Sequence, residues 1–468
     1  MSQNNIKEIG KQFKLDRSVP PVSGKPKDVN FPRFFETRTE NGITLLVIED
    51  NRLPLITSRF VFKSGSYLDY FYGENKSGLV SLTSELLTKG TALRSATDIA
   101  EEVDYLGATI SSGCDYDATY VSSYSLKKYF DNVFEILTDV ILNPKFEDEE
   151  INRLRDQRLN SLLSMIDDGD YLSDKIFKKN LYGNTPYSLP VEGTHRSIQN
   201  IKREDIVTVY KNIFRPENLI IALVGDITPA EAVKKINEKF SDWQNSPATE
   251  MKVLVPEAAG KTKVYLTDKK GAVQSSIKAG NLGITKDNPE FISVSVMNTM
   301  LGGYFTSRIN KNLREDNGYT YGARSSYSSN KYSGDFSVVT EVKNDITSNT
   351  IREIIKEIVK MQEEFVSDEE LQNVKNYISG SFPLQLETPN AIASKVINLK
   401  MYNLEDDYYN TYIRKVNELT KEDIKNAAGK YLHPGSMTIS IAGNVGEIQE
   451  SMKEFGEVEV TKENIIKL

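Results

Sequence analysis

Histidine, cysteine and tryptophan are nearly absent from this chain: its 468 residues include two, one and one of them. The single cysteine, Cys114, excludes an internal disulfide framework and any cysteine-rich zinc site. The two histidines, His195 and His433, are far too distant in sequence to form a local His-x-x-x-His pair. They fall in the turn-like stretches GTHRS and KYLHPG, where ordinary surface roles are expected. Long apolar runs are missing too, so nothing approaches the roughly 18 residues a membrane-spanning helix requires. Nor is there a basic excess. The 58 Lys and Arg against 66 Asp and Glu leave a net charge of −8, poor footing for nucleic acid or an anionic membrane. The polar start MSQNNIKEIGKQFKLDRS lacks the apolar segment of a secretory signal. A cytoplasmic location is expected for the sequence as written, or a periplasmic or exported one if a signal has been removed.

What is present describes a globular protein of two or three domains, 39% apolar and 26% charged. Residues 1–32 end in a proline-rich stretch that favours an extended arm. FETRTENGITLLVIED reads as strand, Asn41-Gly42 turn and strand, followed by an apolar β-branched run at 55–66. Helical spacing at 77–90 and 96–107 precedes an alternating strand pair at 107–126. Further helices are expected at 127–142, 147–166 and 170–180, a buried strand at 220–227, and a helix at 228–243. Residues 244–262 carry few periodic apolar positions and read as a linker. The pattern then restarts, with strands at 263–268 and 274–280 and a long helix at 287–301. Helices and a further strand pair follow before a closing strand.

The restart is a repeat. IKREDIVTVYKNIFRPENLIIALVGDI (201–227) lies without gaps on LTKEDIKNAAGKYLHPGSMTISIAGNV (419–445) at a constant offset of 218. The offset pairs Glu204 with Glu422, Asp205 with Asp423, Ile206 with Ile424, Pro216 with Pro434 and Gly225 with Gly443. Helix, proline turn and apolar strand stay in register, which indicates duplication of an α/β unit of about 200 residues. The expected domains are therefore 33–243 and 263–468.

Several segments carry a resemblance to a known family: NGITLLVIEDNRLPLITSRFVFKSGS, LYGNTPYSLPVEGTHRSIQNIKREDI, RPENLIIALVGDI and LGGYFTSRINKNLREDNGYTYGARSSY. In this order they resemble the M16 peptidases, the pitrilysin, insulinase and mitochondrial processing peptidase family, over residues ~33–468. The resemblance implies an α+β fold of the M16/LuxS-metallohydrolase type. It would comprise two tandem homologous sandwich domains, with mixed, largely antiparallel sheets and helices.

Active members hold zinc with a His-x-x-Glu-His helix. Both histidines lie on one face, and the glutamate polarises the metal-bound water. Here the window bounded by Gly78, Gly90 and Thr91 places Ser81 and Glu85 at the ligand positions and Ser84 at the base position. The family's third ligand, a later glutamate, would fall near Asn160 or Ser161. No metal site is expected in this chain, and no zinc peptidase activity of the chain alone. The second half matches the family's Arg and Tyr, seven apart, at Arg314 and Tyr321. In relatives this pair holds the substrate backbone and stabilises the oxyanion. Gly302 and Gly303 would form a glycine-rich loop beside the substrate chamber. The resemblance thus implies a non-catalytic subunit whose His-x-x-Glu-His partner carries the zinc. An unfolded peptide would be bound as an added strand along 107–126 or 320–328. A structural core-type subunit and a stand-alone peptide-binding clamp are the alternatives.

Overall fold

The computed structural model describes residues 29–73, 75–245 and 251–461. The expected arm up to residue 28, positions 246–250 of the expected linker and residues 462–468 lie outside them. The first sheet contains β1 (Phe35–Arg38), β2 (Thr44–Glu49), β3 (Leu55–Phe62), β4 (Thr109–Cys114), β5 (Thr119–Leu126) and β6 (Leu219–Gly225). Their spatial order is β1-β2-β6-β3-β5-β4. The second sheet contains β7 (Lys263–Asp268), β8 (Gln274–Gly283), β9 (Ala323–Ser329), β10 (Gly334–Lys343), β11 (Thr438–Gly443) and β12 (Glu457–Thr461). Its order is β12-β7-β11-β8-β10-β9.

Removing the first strand of each order leaves one shared path of five strands. Within it only the pair β2/β6 and its counterpart β7/β11 run parallel. The fold is therefore α+β, with two tandem domains on mixed, largely antiparallel sheets. The sixth strands fall outside the repeat. β1 pairs antiparallel with β2 across the Asn41-Gly42 turn, whereas β12 arrives from the far end of the chain and pairs parallel with β7.

The repeat is visible at the level of caps. Helices Arg203–Ile213 and Lys421–Tyr431 begin and end at positions related by the sequence offset. At their starts the Lys202 and Thr420 N–H groups donate to Asp205 and Asp423, at 2.8 and 2.7 Å. A carboxylate at the third helical position satisfies an otherwise orphaned amide in both copies. The expected long helix at 287–301 is shorter than its apolar pattern suggests. It runs from Phe291 to Asn298 and continues as a π-helical turn, Thr299–Gly303. Its start is delayed by Pro289 and by Asn288, whose side chain accepts from the Glu290 N–H at 2.9 Å.

β6 explains how the halves join. All seven residues of LIIALVG are buried, as expected of a strand covered on both faces. Leu219, Ile221 and Leu223 enter the first domain's own core. Ile220, Ala222 and Val224 face a second core that continues into the C-terminal half. The cover on that side is helix Pro389–Met401, which packs on β3 and β6. Its counterpart under the repeat, helix Gly169–Tyr182, packs reciprocally on β8 and β11 of the second sheet. Each half therefore places one helix on the other half's sheet.

The second of these contacts is the more polar. Lys278 donates to Asp174 at 2.5 Å, and the Tyr182 hydroxyl to the buried Asp335 at 2.8 Å. Asp117 adds a further tie, accepting from the Tyr187 hydroxyl at 2.5 Å and from the Lys331 N–H of the other half at 2.8 Å. Phe31, within the expected arm, is buried, with its ring 5.1 Å from that of Tyr409.

Candidate functional site

The degenerate window lies on helix Leu79–Leu86. Gly78 caps it with φ +85°, and a Cβ there would come within 2.8 Å of the Gly193 backbone, so glycine is required. Asp69, beneath this turn, accepts from the Gly78 and Val80 N–H groups at 2.7 and 2.9 Å. Thr91, at the other flank, donates to Asp139 at 2.7 Å. The flanking residues that define the register thus retain structural work although the motif has gone.

Burial pushes the Asp69 carboxyl from its ordinary 3.8 up to about 8, against the opposing pull of the backbone amides it caps. An acid whose folded pKa is raised contributes stability that is fully present below its unfolded pKa and lost as pH rises to the folded value. Relative to Asp69→Asn, the wild-type chain should therefore lose stability between about pH 4 and pH 8. Denaturant midpoints at several pH values would show it, at up to about 1.4 kcal/mol per unit. A difference that stays constant over this range would refute the assignment.

Within the window, Ser84 is fully buried and its hydroxyl donates to its own helix, to the Ser81 carbonyl at 2.7 Å. Glu85 is ion-paired with Arg158, from helix Asp148–Met165. The same guanidinium lies 3.3 Å from Ser81 Oγ and donates to the Glu192 carbonyl at 3.0 Å. Sequence reasoning missed Arg158. Asn160, two positions on, is exposed, whereas Arg158 projects towards the window. Its contact with Glu85 spans 73 positions and leaves no local pattern.

A zinc ion does not fit these residues. The window offers one carboxylate, already neutralised by a guanidinium, and two hydroxyls, whereas a zinc site needs about three N, O or S protein ligands. No group of three His, Cys, Asp or Glu among the described residues is arranged to hold a metal. Cys114, at the end of β4, is no substitute nucleophile. Burial foremost, then the Asp69, Asp115 and Glu85 carboxylates, raise its thiol well above the ordinary value, so the thiolate is disfavoured. His195 opens a short helix and His433 is exposed in its turn.

The second candidate region is a cleft of about 520 Å³ whose lining includes Gly302, Gly303, Phe305, Tyr321 and Arg324. Asp170, from the exchanged helix of the first half, also lines it. Gly302 lies where the π-helical turn presses on β9, and a Cβ there would meet the Ser325 backbone nitrogen at 2.5 Å. It therefore serves both close packing and the cleft wall. Tyr321 is 98% exposed and Phe305 is 68% exposed. Arg314 sits on a second π-helical turn, Lys311–Asp316, with its guanidinium 4.6 Å from the centre of the Phe305 ring. Among the described residues its one ion pair is a loose 3.5 Å contact with the adjacent Glu315. The structure thus gathers Gly302, Gly303 and Tyr321 at one cleft and links Arg314 to it through Phe305. Neither Phe305 nor Asp170 carried a signal in the sequence. β4 and β9 are outer strands of their sheets, and Ala323 and Arg324 of β9 line the cleft.

Comparison with known proteins bears on this arrangement. Residues 46–195 match the family described as Insulinase (Peptidase family M16), and residues 200–378 the one described as Peptidase M16 inactive domain. A Helicobacter pylori protein named non-peptidase homolog YmxG is 24% identical over 406 residues, covering 86% of this chain and 92% of its own. A probable mitochondrial-processing peptidase subunit beta of Arabidopsis thaliana is 22% identical over 466 residues, 96% of this chain and 87% of that protein. The crystal structure of a peptidase M16 inactive domain from Pseudomonas fluorescens matches with a TM-score of 0.82 and 26% identity. It covers 88% of this chain and 98% of its own. No helix among the described residues is long and apolar enough to cross a membrane. The chain belongs to peptidase family M16 and is one of its inactive members, with the His-x-x-Glu-His motif gone.

Proposed function

We propose that this chain is the non-catalytic subunit of a two-chain M16 peptidase, lending Arg314 and Tyr321 to a zinc site carried by a His-x-x-Glu-His homologue. The observation that carries the proposal is Tyr321. A tyrosine 98% exposed at the rim of a cleft has no packing role within its own chain, and exposed aromatics of this kind suit a contact made elsewhere. Arg314 is similar: stacked on an exposed ring and loosely paired, its guanidinium remains open to a further acceptor. One relative, the Arabidopsis protein, is by name a subunit, which agrees with divided labour.

The partner's His-x-x-Glu-His residues would hold the zinc, which would supply an activated water. This chain's own residues bind and orient: the guanidinium and the phenol hydroxyl donate to carbonyl oxygens of an extended peptide and to the charge that develops on one of them. The substrate class is an unfolded peptide, added as a strand beside β9 or β4, because both are outer strands with no strand paired on their far side among the described residues. Sequence selectivity then comes from side-chain pockets and is low along the backbone. The homologue alone, this chain alone and their mixture should be assayed on an unstructured fluorogenic peptide. Activity in the mixture only, abolished by a chelator, is the expected result. Full activity of the homologue alone, unchanged on mixing, overturns the proposal.

A further inference from the structure

A separate cavity of about 310 Å³ lies in the second half, lined by Lys286, Lys395 and several aromatic rings, among them Tyr377, Tyr408 and Tyr412. Lys286 Nζ lies 3.8 Å over the centre of the Phe291 ring. Lys395 Nζ lies 5.4 Å from that of Tyr409 and donates to Gln385 Oε1 at 3.0 Å. Two ammonium groups thus share one half-buried cavity, and among the described residues no carboxylate offsets either charge. The charge that acts on Lys286 is the like charge of Lys395. Ring faces offset part of the cost, but they give the remaining N–H donors no oxygen acceptor. Burial together with Lys395 pulls Lys286 down to about 8, and burial lowers Lys395 as well. Removing one lysine would relieve the other, so the pair is adverse for the empty chain.

We propose that this cavity binds a small organic anion, with its phosphate or carboxylate group between Lys286 and Lys395 and its apolar body against the tyrosine rings. An anion placed there would receive N–H donors from two cations in a poorly hydrated setting, where such bonds are strongest. The volume is at the low end for small-molecule sites and suits a single ring bearing one anionic group. The site is distinct from the cleft that holds Tyr321. The two stand on either side of the π-helical turn, with Thr299 lining this cavity and Gly302 and Gly303 lining the other.

The test is calorimetric titration of the full chain with phenyl phosphate, benzoate, inorganic phosphate and phenol. Phenyl phosphate and benzoate should bind saturably at one site, each at least about 10-fold more tightly than phenol, which lacks the charge. Both should also bind more tightly than inorganic phosphate, which lacks the ring. Lys286→Met and Lys395→Met should each weaken phenyl phosphate binding by about 10-fold or more, whereas Lys356→Met, on a distant helix, should leave it unchanged. The double variant keeps the test decisive if folding is questioned. With the adverse pair gone its Tm should be unchanged or raised, while phenyl phosphate no longer raises it. Absence of saturable binding by phenyl phosphate and benzoate, or binding indifferent to both lysines, overturns the site.

Discussion

In the reconstituted pair, Arg314→Ala or Tyr321→Phe should lower turnover by about 10²–10³ while the two chains still assemble. The size follows from what each group would do. A preorganised donor aimed at developing charge is worth about 2.7–4 kcal/mol of transition-state stabilisation, far above the ~0.5 kcal/mol typical of a surface substitution. Folding should be indifferent. Tyr321→Phe removes a hydroxyl from a side chain that is 98% exposed, and Arg314→Ala removes an exposed stacking contact and a loose ion pair. The loss should fall on kcat more than on KM, because the interaction strengthens as the oxyanion forms. Arg314→Lys should recover little of it, since a compact ammonium neither stacks on Phe305 nor donates as a fork. Unchanged turnover with intact assembly would assign this chain a structural role instead.

A second large effect is expected from rebuilding the metal site. The triple variant Ser81→His, Ser84→Glu, Glu85→His restores the motif on one helix face, yet it should bind zinc poorly while Arg158 remains. The guanidinium lies within hydrogen-bonding distance of Ser81 and pairs with Glu85, so it would stand beside the dication. At about 4 Å and an effective dielectric near 20, like unit charges repel by about 4 kcal/mol. Adding Arg158→Glu replaces that repulsion with an oxygen ligand. The quadruple variant should bind one zinc at least about 10³-fold more tightly than the triple. Metal analysis after dialysis against buffered zinc reads the difference. Stoichiometric zinc in the triple variant would show that Arg158 is no obstacle, and none in the quadruple would show that the window's register is wrong.

How far the sequence alone reaches depends on the range of the interaction that sets each feature. The repeat was readable because it rests on local chemistry. Asp205 and Asp423 cap their helices from three residues away, and apolar strands follow at the same spacing. The double-faced burial of β6 was readable from its unbroken apolar run, but not which helix covers it, since helix Pro389–Met401 lies some 170 positions later. The empty motif was readable by its absent histidines. What fills the space was not, because Arg158 is one of many polar residues on a solvated helix and only the fold selects it. The split of 287–301 into a helix and a π-helical turn was hidden for a similar reason. Apolar periodicity continues through Leu301, and the close approach of β9 at Gly302, where the turn forms, comes from a strand more than 20 positions later.

The reciprocal placement of one helix on each opposite sheet also limits how this molecule can move. Swinging the two sheets apart would strip helix Pro389–Met401 from its seat, exposing side chains such as Ile392, Val396, Ile397 and Leu399 that are now buried. At ~1.5–3 kcal/mol for each such side chain laid bare, the upper estimate is ~6–12 kcal/mol, comparable to the whole stability of an ordinary domain. A hinge between the sheets would therefore work against this burial. In the proposed two-chain enzyme, a gate that admits a peptide would therefore open between the chains rather than within this one.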